Sequence, residues 1–286
     1  MKFERYMYDD KALLSMARVG DKLISHPFCE YGGPLPLLEN IDAEKFKQDL
    51  LSEFKNRVRI NFHPQLARTF LALDGARSVL DQSGRVSYFL EDIDLRKTTR
   101  HEIEKAKANN IQVEKCQSQK DLKNFYNLYL KSAKRHKIPA YPFSFFDYFF
   151  NSNESEIILA KKNNLVIAGS AFLFYEKFVH YFQNAIDEKY KNLGANYLIL
   201  WEQIQKSLQD NKIFDFGGTR IGSPLQIFKQ GWGGREYPIF ELTNCGGTMK
   251  SGLPGKLDFE TLRNIFGLLP PFLIKKLSPY LLKYKL

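Results

Sequence analysis

The chain has 286 residues, 44% of them hydrophobic, and its 42 lysines and arginines outnumber 32 acidic residues, for a formal charge of +10 and an isoelectric point near 9.3. That length and apolar content can bury a sizeable core, in one large domain or two ordinary ones, and exclude a fibrous or disordered chain. The surplus of positive charge favours anionic partners, whether phosphate, nucleic acid, acidic glycan or a membrane surface, and does not choose among them.

The N-terminus, M-K-F-E-R-Y-M-Y-D-D, has neither an apolar signal core nor a cleavage site, and no run of about 18 apolar residues occurs further on. A cytoplasmic protein, at most peripheral to the inner face of the membrane, is the expectation. Residues 28–38 are rich in turn formers, and Phe46, Leu50, Leu51 and Phe54 give residues 43–55 the spacing of an amphipathic helix. Strands are predicted at 58–62, 69–73 and 87–90. A strongly charged helix follows at 95–109, where Arg96, Lys97, Arg100, Lys105 and Lys107 outnumber Glu102 and Glu104.

Beyond it the pattern predicts a strand at 111–115, a helix at 120–137 with Leu122, Phe125, Tyr126, Tyr129 and Leu130 on one face, and an aromatic-rich helix at 143–150. Strands come next at 156–161, 164–175 and 178–187, with Asn163-Asn164 as a tight hairpin turn. A helix at 195–209 leads into a strand at 213–217. This order describes an α+β domain with a mixed central sheet, and the first half reads as a shorter version of the same plan.

Two stretches carry candidate chemistry. Lys191-Asn-Leu-Gly194-Ala195-Asn196 sits between a strand and a helix, where backbone amides and the helix dipole suit a pyrophosphate; an ordinary turn is the competing reading. Asp215-Phe-Gly-Gly-Thr-Arg220 and Phe228-Lys-Gln-Gly-Trp-Gly-Gly-Arg235 read as a buried strand, glycine-rich turns and a lysine among aromatics. Arg220 and Arg235 flank those glycines and suit phosphate or carboxylate recognition. Asp187, at a strand end, is either a general base or a turn former. His180 and Tyr181 point to opposite faces of their strand, so one of them lines a cleft or they are satisfied core or surface residues. Cys29, Cys116 and Cys245 lie far apart without Cys/His ligand spacing, so reduced thiols are expected and neither a disulfide framework nor a metal site. No G-x-S-x-G elbow or activated cysteine is evident.

The order of elements and the turn at 191–196 resemble the GNAT acyltransferase fold. More specifically, P-F-C-E-Y-G-G-P-L at 27–35, L-R-K-T-T-R-H-E-I-E-K-A-K-A-N-N-I at 95–111, F-D-F-G-G-T-R at 214–220 and F-K-Q-G-W-G at 228–233 resemble the Fem-type aminoacyltransferases and their BioF2-like relatives over roughly residues 24–245. The resemblance implies two GNAT-like halves with mixed central sheets and a cleft between them. The division would be a short or incomplete N-terminal half (1–94), a linking basic helix (95–110), a C-terminal acyltransferase half (111–250) and a basic tail (251–286). It implies an N-acyltransferase acting on a diphosphate- or glycan-bearing cell-envelope precursor. Lys229 falls on the lysine of the family's F-K-x-x-F/W-G motif, at the acyl-transfer site, with Tyr181 and Asp187 as further catalytic candidates. Arg135, within Ser132-Ala-Lys-Arg, takes the place of an arginine near the precursor's diphosphate. Tyr31, Gly32 and Gly33 would shape the cleft from the first half, with Arg220, Phe228 and Trp232 opposite. Lys191, Gly194, Ala195 and Asn196 would hold the donor.

The helical hairpin that contacts tRNA in several Fem proteins has no heptad counterpart here, so acyl-CoA and aminoacyl-tRNA both stand as donors. Residues 265–286 combine Lys275, Lys276, Lys283 and Lys285 with many apolar residues and no acid, the composition of a segment that lies on an anionic bilayer or packs on the domain. The rival class is a noncatalytic basic module that holds nucleic acid or anionic lipid on a degenerate acyltransferase scaffold.

Overall fold

The computed structural model describes residues 81–243 without a break, 264 and 266–282, and within the first 80 residues 2–8, 12–19, 22–25, 31–32, 35–36, 42, 45–46, 48–49, 52 and 57–64. Its strands are β1 (Lys2–Tyr8), β2 (Ala12–Val19), β3 (Lys22–Ser25), β4 (Leu35–Pro36), β5 (Arg57–Asn61), β6 (Asp81–Leu90), β7 (Gln112–Lys115), β8 (Ser155–Lys162), β9 (Leu165–Tyr175), β10 (Phe178–Ile186), β11 (Ile213–Arg220) and β12 (Arg235–Thr243). The helices are α1 (Lys97–Ala108), α2 (Gln119–His136), α3 (Phe143–Asn151), α4 (Ala195–Gln209), α5 (Pro224–Gln230) and α6 (Pro271–Leu281), with a 3₁₀ turn at Glu188–Leu193.

The α+β class with a mixed sheet is as the sequence indicates, and the strands of both halves join in one sheet. Among the described residues twelve strands run in the order β1-β2-β3-β5-β12-β6-β11-β10-β9-β8-β7, with β4 beside β2. Pairing is parallel between β3 and β5 and between β10 and β11, and antiparallel elsewhere. Helices cover both faces of the second half. On one, Ile103 and Ala106 of α1 pack with Leu198, Ile199 and Ile204 of α4 over Phe214, Phe216 and Trp232. On the other, Phe125 and Tyr129 of α2, Phe146 of α3 and Ile274 of α6 pack over Leu159 and Ala171. The charged helix α1 is thus a core element, with Thr99, Ile103 and Ala106 buried beneath its charged face.

Local signals account for most boundaries. Ser118 caps α2 by accepting the Asp121 amide, and Lys137 ends the helix in the left-handed conformation. Asn163 and Asn164, at φ 50° and 60°, form the two-residue turn joining β8 to β9. Of the predicted helix at 43–55, Lys45, Phe46, Gln48, Asp49 and Ser52 are described and helical; the predicted strand at 69–73 lies outside the described residues.

Three differences have physical causes. β1–β3 form where no strand was predicted: Leu14, Met16, Ala17, Leu23 and Ile24 of β2 and β3 are buried, and partners β2 and β5 supply the ladder. β12 carries Pro238, which argues against a central strand. Pro238 pairs with Val86 of β6, whereas among the described residues β5 joins β12 only at Glu241–Thr243, so the missing N–H meets no second neighbour there. Lys229, expected on a glycine turn, lies on α5, which Ser223 caps and which has Pro224 in its first turn.

Gly233 (φ +82°) and Gly222 (φ +78°) both require left-handed backbone, but a Cβ on Gly233 would sit 2.1 Å from the Asp94 carbonyl oxygen while one on Gly222 meets nothing within 4 Å. Gly222→Ala should cost about 1–2 kcal/mol from handedness alone, and Gly233→Ala about 3–4 kcal/mol because backbone must also move. Urea denaturation of both variants checks this; equal losses would contradict the close approach.

Candidate active site

The site is built where two parallel strands part. β10 and β11 pair only from Phe178–His180 to Ile213–Asp215. Beyond that rung each strand is bent. The β9–β10 register shifts between Tyr181 and Gln183, and the β6–β11 register shifts between Asp215 and Gly218, where Gly217 has φ +68°. Such bulges kink a strand and strengthen its twist, and the gap between the diverging strands is a cavity of about 430 Å³.

One wall of the cavity is Tyr181 of β10 with Phe216 and Gly218 of β11; Phe228 and Lys229 of α5 close it. Lys229 is 3% exposed, and its Nζ donates to the Gly217 carbonyl at 2.7 Å and the Gly218 carbonyl at 3.1 Å. Phe228 and Trp232 pack on Tyr197, with ring centroids 5.2 and 5.8 Å away. The far end is the start of α4, where Lys191, Gly194, Asn196 and Tyr197 line the cavity. A helix start leaves its first N–H groups without intrahelical acceptors and carries partial positive charge. Gly194 is required there, since at φ +74° a Cβ would come within 2.2 Å of the Glu102 carbonyl. Asn196 Oδ1 is buried with no hydrogen-bond partner among the described residues, a standing cost unless a ligand donor reaches it.

A second constellation lies on the last paired rung. Asp215 is fully buried; its Oδ2 lies 2.7 Å from His180 Nδ1, and its Oδ1 accepts from Ser87 Oγ at 2.9 Å and from the Gly217 amide at 2.8 Å. The Tyr31 hydroxyl lies 2.7 Å from Ser87 Oγ and 3.2 Å from Asp215 Oδ1. The Tyr175 hydroxyl is 3.3 Å from both Asp215 Oδ2 and His63 Nε2. Burial alone would raise the Asp215 pKa, but His180, the Gly217 amide and His63 together hold it below the usual carboxylate range. Burial lowers His63 to about 4, against the upward pull of the Asp215 carboxylate.

The cavity therefore unites Lys229, Tyr181, Phe228, Lys191, Gly194 and Asn196, with Ala195 buried beside them. Burial pushes the Tyr181 phenol well above its ordinary value. Tyr31 belongs to the Asp215 constellation, and the Gly32 amide donates to Asn61 in the sheet; Gly33 lies outside the described residues. Other candidates stand apart from the cavity wall. Asp187 Oδ1 accepts from the Lys189 amide as cap of the 3₁₀ turn, and Lys131 lies 3.7 Å from its carboxylate. Arg135 pairs with Glu188 at 3.0 Å. Arg220 is exposed at the end of β11, and Trp232 is wholly buried. His180 and Asp215 were not singled out as a pair by the sequence; the one available signal is their phase, each a polar residue between apolar neighbours on a strand.

Residues 94–229 match the family model described as an acetyltransferase (GNAT) domain. L-PGS from Bacillus licheniformis is similar in structure, with a TM-score of 0.62 at 12% identity over 86% of this chain and 85% of that one. FemX is similar with a TM-score of 0.58 at 11% identity, over 84% of this chain and 87% of the other. A conserved protein from Bacteroides thetaiotaomicron gives 0.61 at 10% identity over 84% and 85%. At these identities the likeness is one of fold. No curated protein sequence matches the chain.

His63 sets a pH dependence of stability. Burial lowers its pKa from the ordinary 6.5 to about 4, so the unfolded chain takes up a proton first as pH falls. The neutral-His63 contribution is full above pH 6.5 and is lost toward pH 4, amounting to about 3 kcal/mol at most. Urea titrations from pH 7 to 4 should show His63→Asn losing less stability than the parent protein; parallel curves would mean that His63 is not held neutral.

Proposed function

With residues 94–229 carrying a GNAT-type acyltransferase domain, we propose that the protein transfers an acyl or aminoacyl group from a phosphate-bearing donor onto an amine of a cell-envelope or glycan precursor. The observation that carries this reading is the cavity between β10 and β11, closed at one end by the start of α4, with Asn196 Oδ1 buried and unpaired in its wall. The donor phosphates would lie at the first turn of α4, next to Gly194 and within reach of Lys191. Its acyl chain would run along Tyr181, Phe216 and Phe228. The fit is chemical: partial positive charge for phosphates, aromatic walls for an alkyl arm, and an orphan carbonyl for an amide N–H. Acyl-CoA and aminoacyl-tRNA both meet this description.

In the reaction a neutral amine attacks the acyl carbon, and negative charge develops on the carbonyl oxygen. Groups fixed beforehand in a dry site stabilise that charge best. Lys229 serves this purpose by bracing the Gly217 and Gly218 carbonyls, which keeps β11 bent away from β10 and the cavity open. A noncatalytic basic module would have no use for such a cavity, and surface charge alone would suffice for it.

The exposed face of α6 supports a membrane-borne acceptor. Ile274 and Ser278 anchor the helix, the Ser278 hydroxyl accepting from the Ala140 amide at 2.9 Å, while Phe272, Lys275, Lys276, Leu277 and Tyr280 face outward. Among the described residues no helix is long and apolar enough to cross a membrane.

Thermal melts with acetyl-CoA, longer acyl-CoAs and alanyl-tRNA test the donor. The true donor at 100 times its Kd should stabilise the fold by about 2.7 kcal/mol, and Gly194→Ala should remove that shift; no shift with any donor class sinks the reading. On vesicles, Lys275→Glu with Lys276→Glu should reduce binding to anionic but not neutral lipid, by about 1 kcal/mol per lysine removed. Equal binding to both lipids would eliminate the membrane contact.

A further inference from the structure

Asp215 and His180 are buried titratable groups that contribute nothing to the cavity wall, and such groups are costly unless paired. Their position gives them a use. Successive residues on a strand point to opposite faces, so His180 and Asp215 lie on the face of the sheet opposite Tyr181 and Phe216. They are the final rung before β10 and β11 separate, one residue, roughly 3.3 Å, from the donor cavity along each strand. Beyond that rung no ladder hydrogen bond joins β10 to β11 among the described residues, which would let an acceptor on this face meet the acyl carbon of a donor held on the other.

We propose that His180 is the general base that takes the proton from the acceptor amine on this second face, with Asp215 as its positioning residue. The inference rests on the acyl-transfer reading above. Asp215 Oδ1 is engaged by Ser87 and the Gly217 amide, which leaves Oδ2 for His180 Nδ1 at 2.7 Å. An ionised carboxylate at that distance requires Nδ1 to carry the proton, which puts the lone pair on Nε2. Among the described residues no hydrogen bond reaches His180 Nε2, and it is not among the buried atoms that lack a partner. The aromatic rings of Tyr31 and Tyr175 stand 5.9 and 6.5 Å from the imidazole, and Tyr175, at 36% exposure, is the member open to solvent. Aromatic faces around a buried carboxylate favour an alkylammonium. The titratable groups around the dyad are Tyr31, His63 and Tyr175; His63 is held neutral by its burial and adds no competing positive charge.

The proton balance closes. The acceptor ammonium gives one proton to Nε2, and the freed nitrogen pair forms the C–N bond to the acyl carbon. The bond from that carbon to the donor sulfur or oxygen breaks, the leaving atom takes the second nitrogen proton, and the imidazolium releases the first to solvent.

The test uses the full chain with acetyl-CoA and alanyl-tRNA as donors and ethanolamine, L-lysine and D-glucosamine as acceptors. His180→Gln should lower kcat by about 10²–10⁴-fold with the donor-induced melting shift unchanged. It should also leave a rate that follows the ionisation of the acceptor amine itself. With acceptors whose amines are already neutral at the assay pH, the defect should shrink. His180→Asn serves if the glutamine variant does not fold. Independently, ¹⁵N-histidine spectra of the wild-type protein should show His180 protonated on Nδ1, and Asp215→Asn should lose that preference. An Nε2-protonated tautomer in the wild type, or turnover by His180→Gln within threefold of wild type across the pH range, overturns the proposal while the acyl-transfer reading stands. Absence of turnover with both donors overturns the acyl-transfer reading, and this inference with it.

Discussion

The separation of β10 from β11 is the constraint on which the rest of this site depends. Two strands that part inside a sheet leave backbone N–H and C=O groups without ladder partners, and buried groups of that kind must be satisfied elsewhere. Here the solution falls to side chains at Gly217 and Gly218. Lys229 comes from α5 to cap the two carbonyls, and Asp215 folds back to accept the Gly217 amide. Each of these side chains then has a second consequence: the lysine closes one wall of the cavity, and the aspartate pairs with His180. One break in the ladder thus organises both faces of the sheet.

The break is tolerated because the sheet around it is continuous. β12 and β6 lie between β5 and β11, so residues from both ends of the described chain hold the edge of the opening. Tyr31 and His63 reach Asp215 only because β5 pairs with β12, and β12 with β6. The helices on the two faces do different work. α1 and α4 support the end of the cavity where Gly194 meets the Glu102 backbone, whereas α2, α3 and α6 form an aromatic core on the opposite face of the sheet.

Legibility in the sequence follows the range of the interactions. The helix at 195–209 and the glycine before it were readable because helix periodicity and start signals are local, and the hairpin turn at Asn163-Asn164 was readable for the same reason. The lysine motif at 228–233 lies in the cavity wall, yet its glycines suggested a turn and hid the short helix that Ser223 and Pro224 start. A carboxylate at a strand end has two possible roles, and Asp187 Oδ1 accepts the Lys189 amide within the turn. β12 was missed because Pro238 argues against a central strand, and only the offset between its two neighbours makes the proline harmless.

The sequence by itself determined the class of fold, the succession of elements from about residue 95 to 217, the basic surface and the turn that starts α4, since propensity, periodicity and charge act within a few residues. The tertiary structure decided what meets what. Asp215 touches His180, Ser87 and Tyr31 at separations of 35, 128 and 184 residues, and Lys229 turns inward to the backbone of β11. Those contacts depend on strand register and on two bulges, which are fixed by pairing with distant strands and leave no mark in any local stretch of the chain.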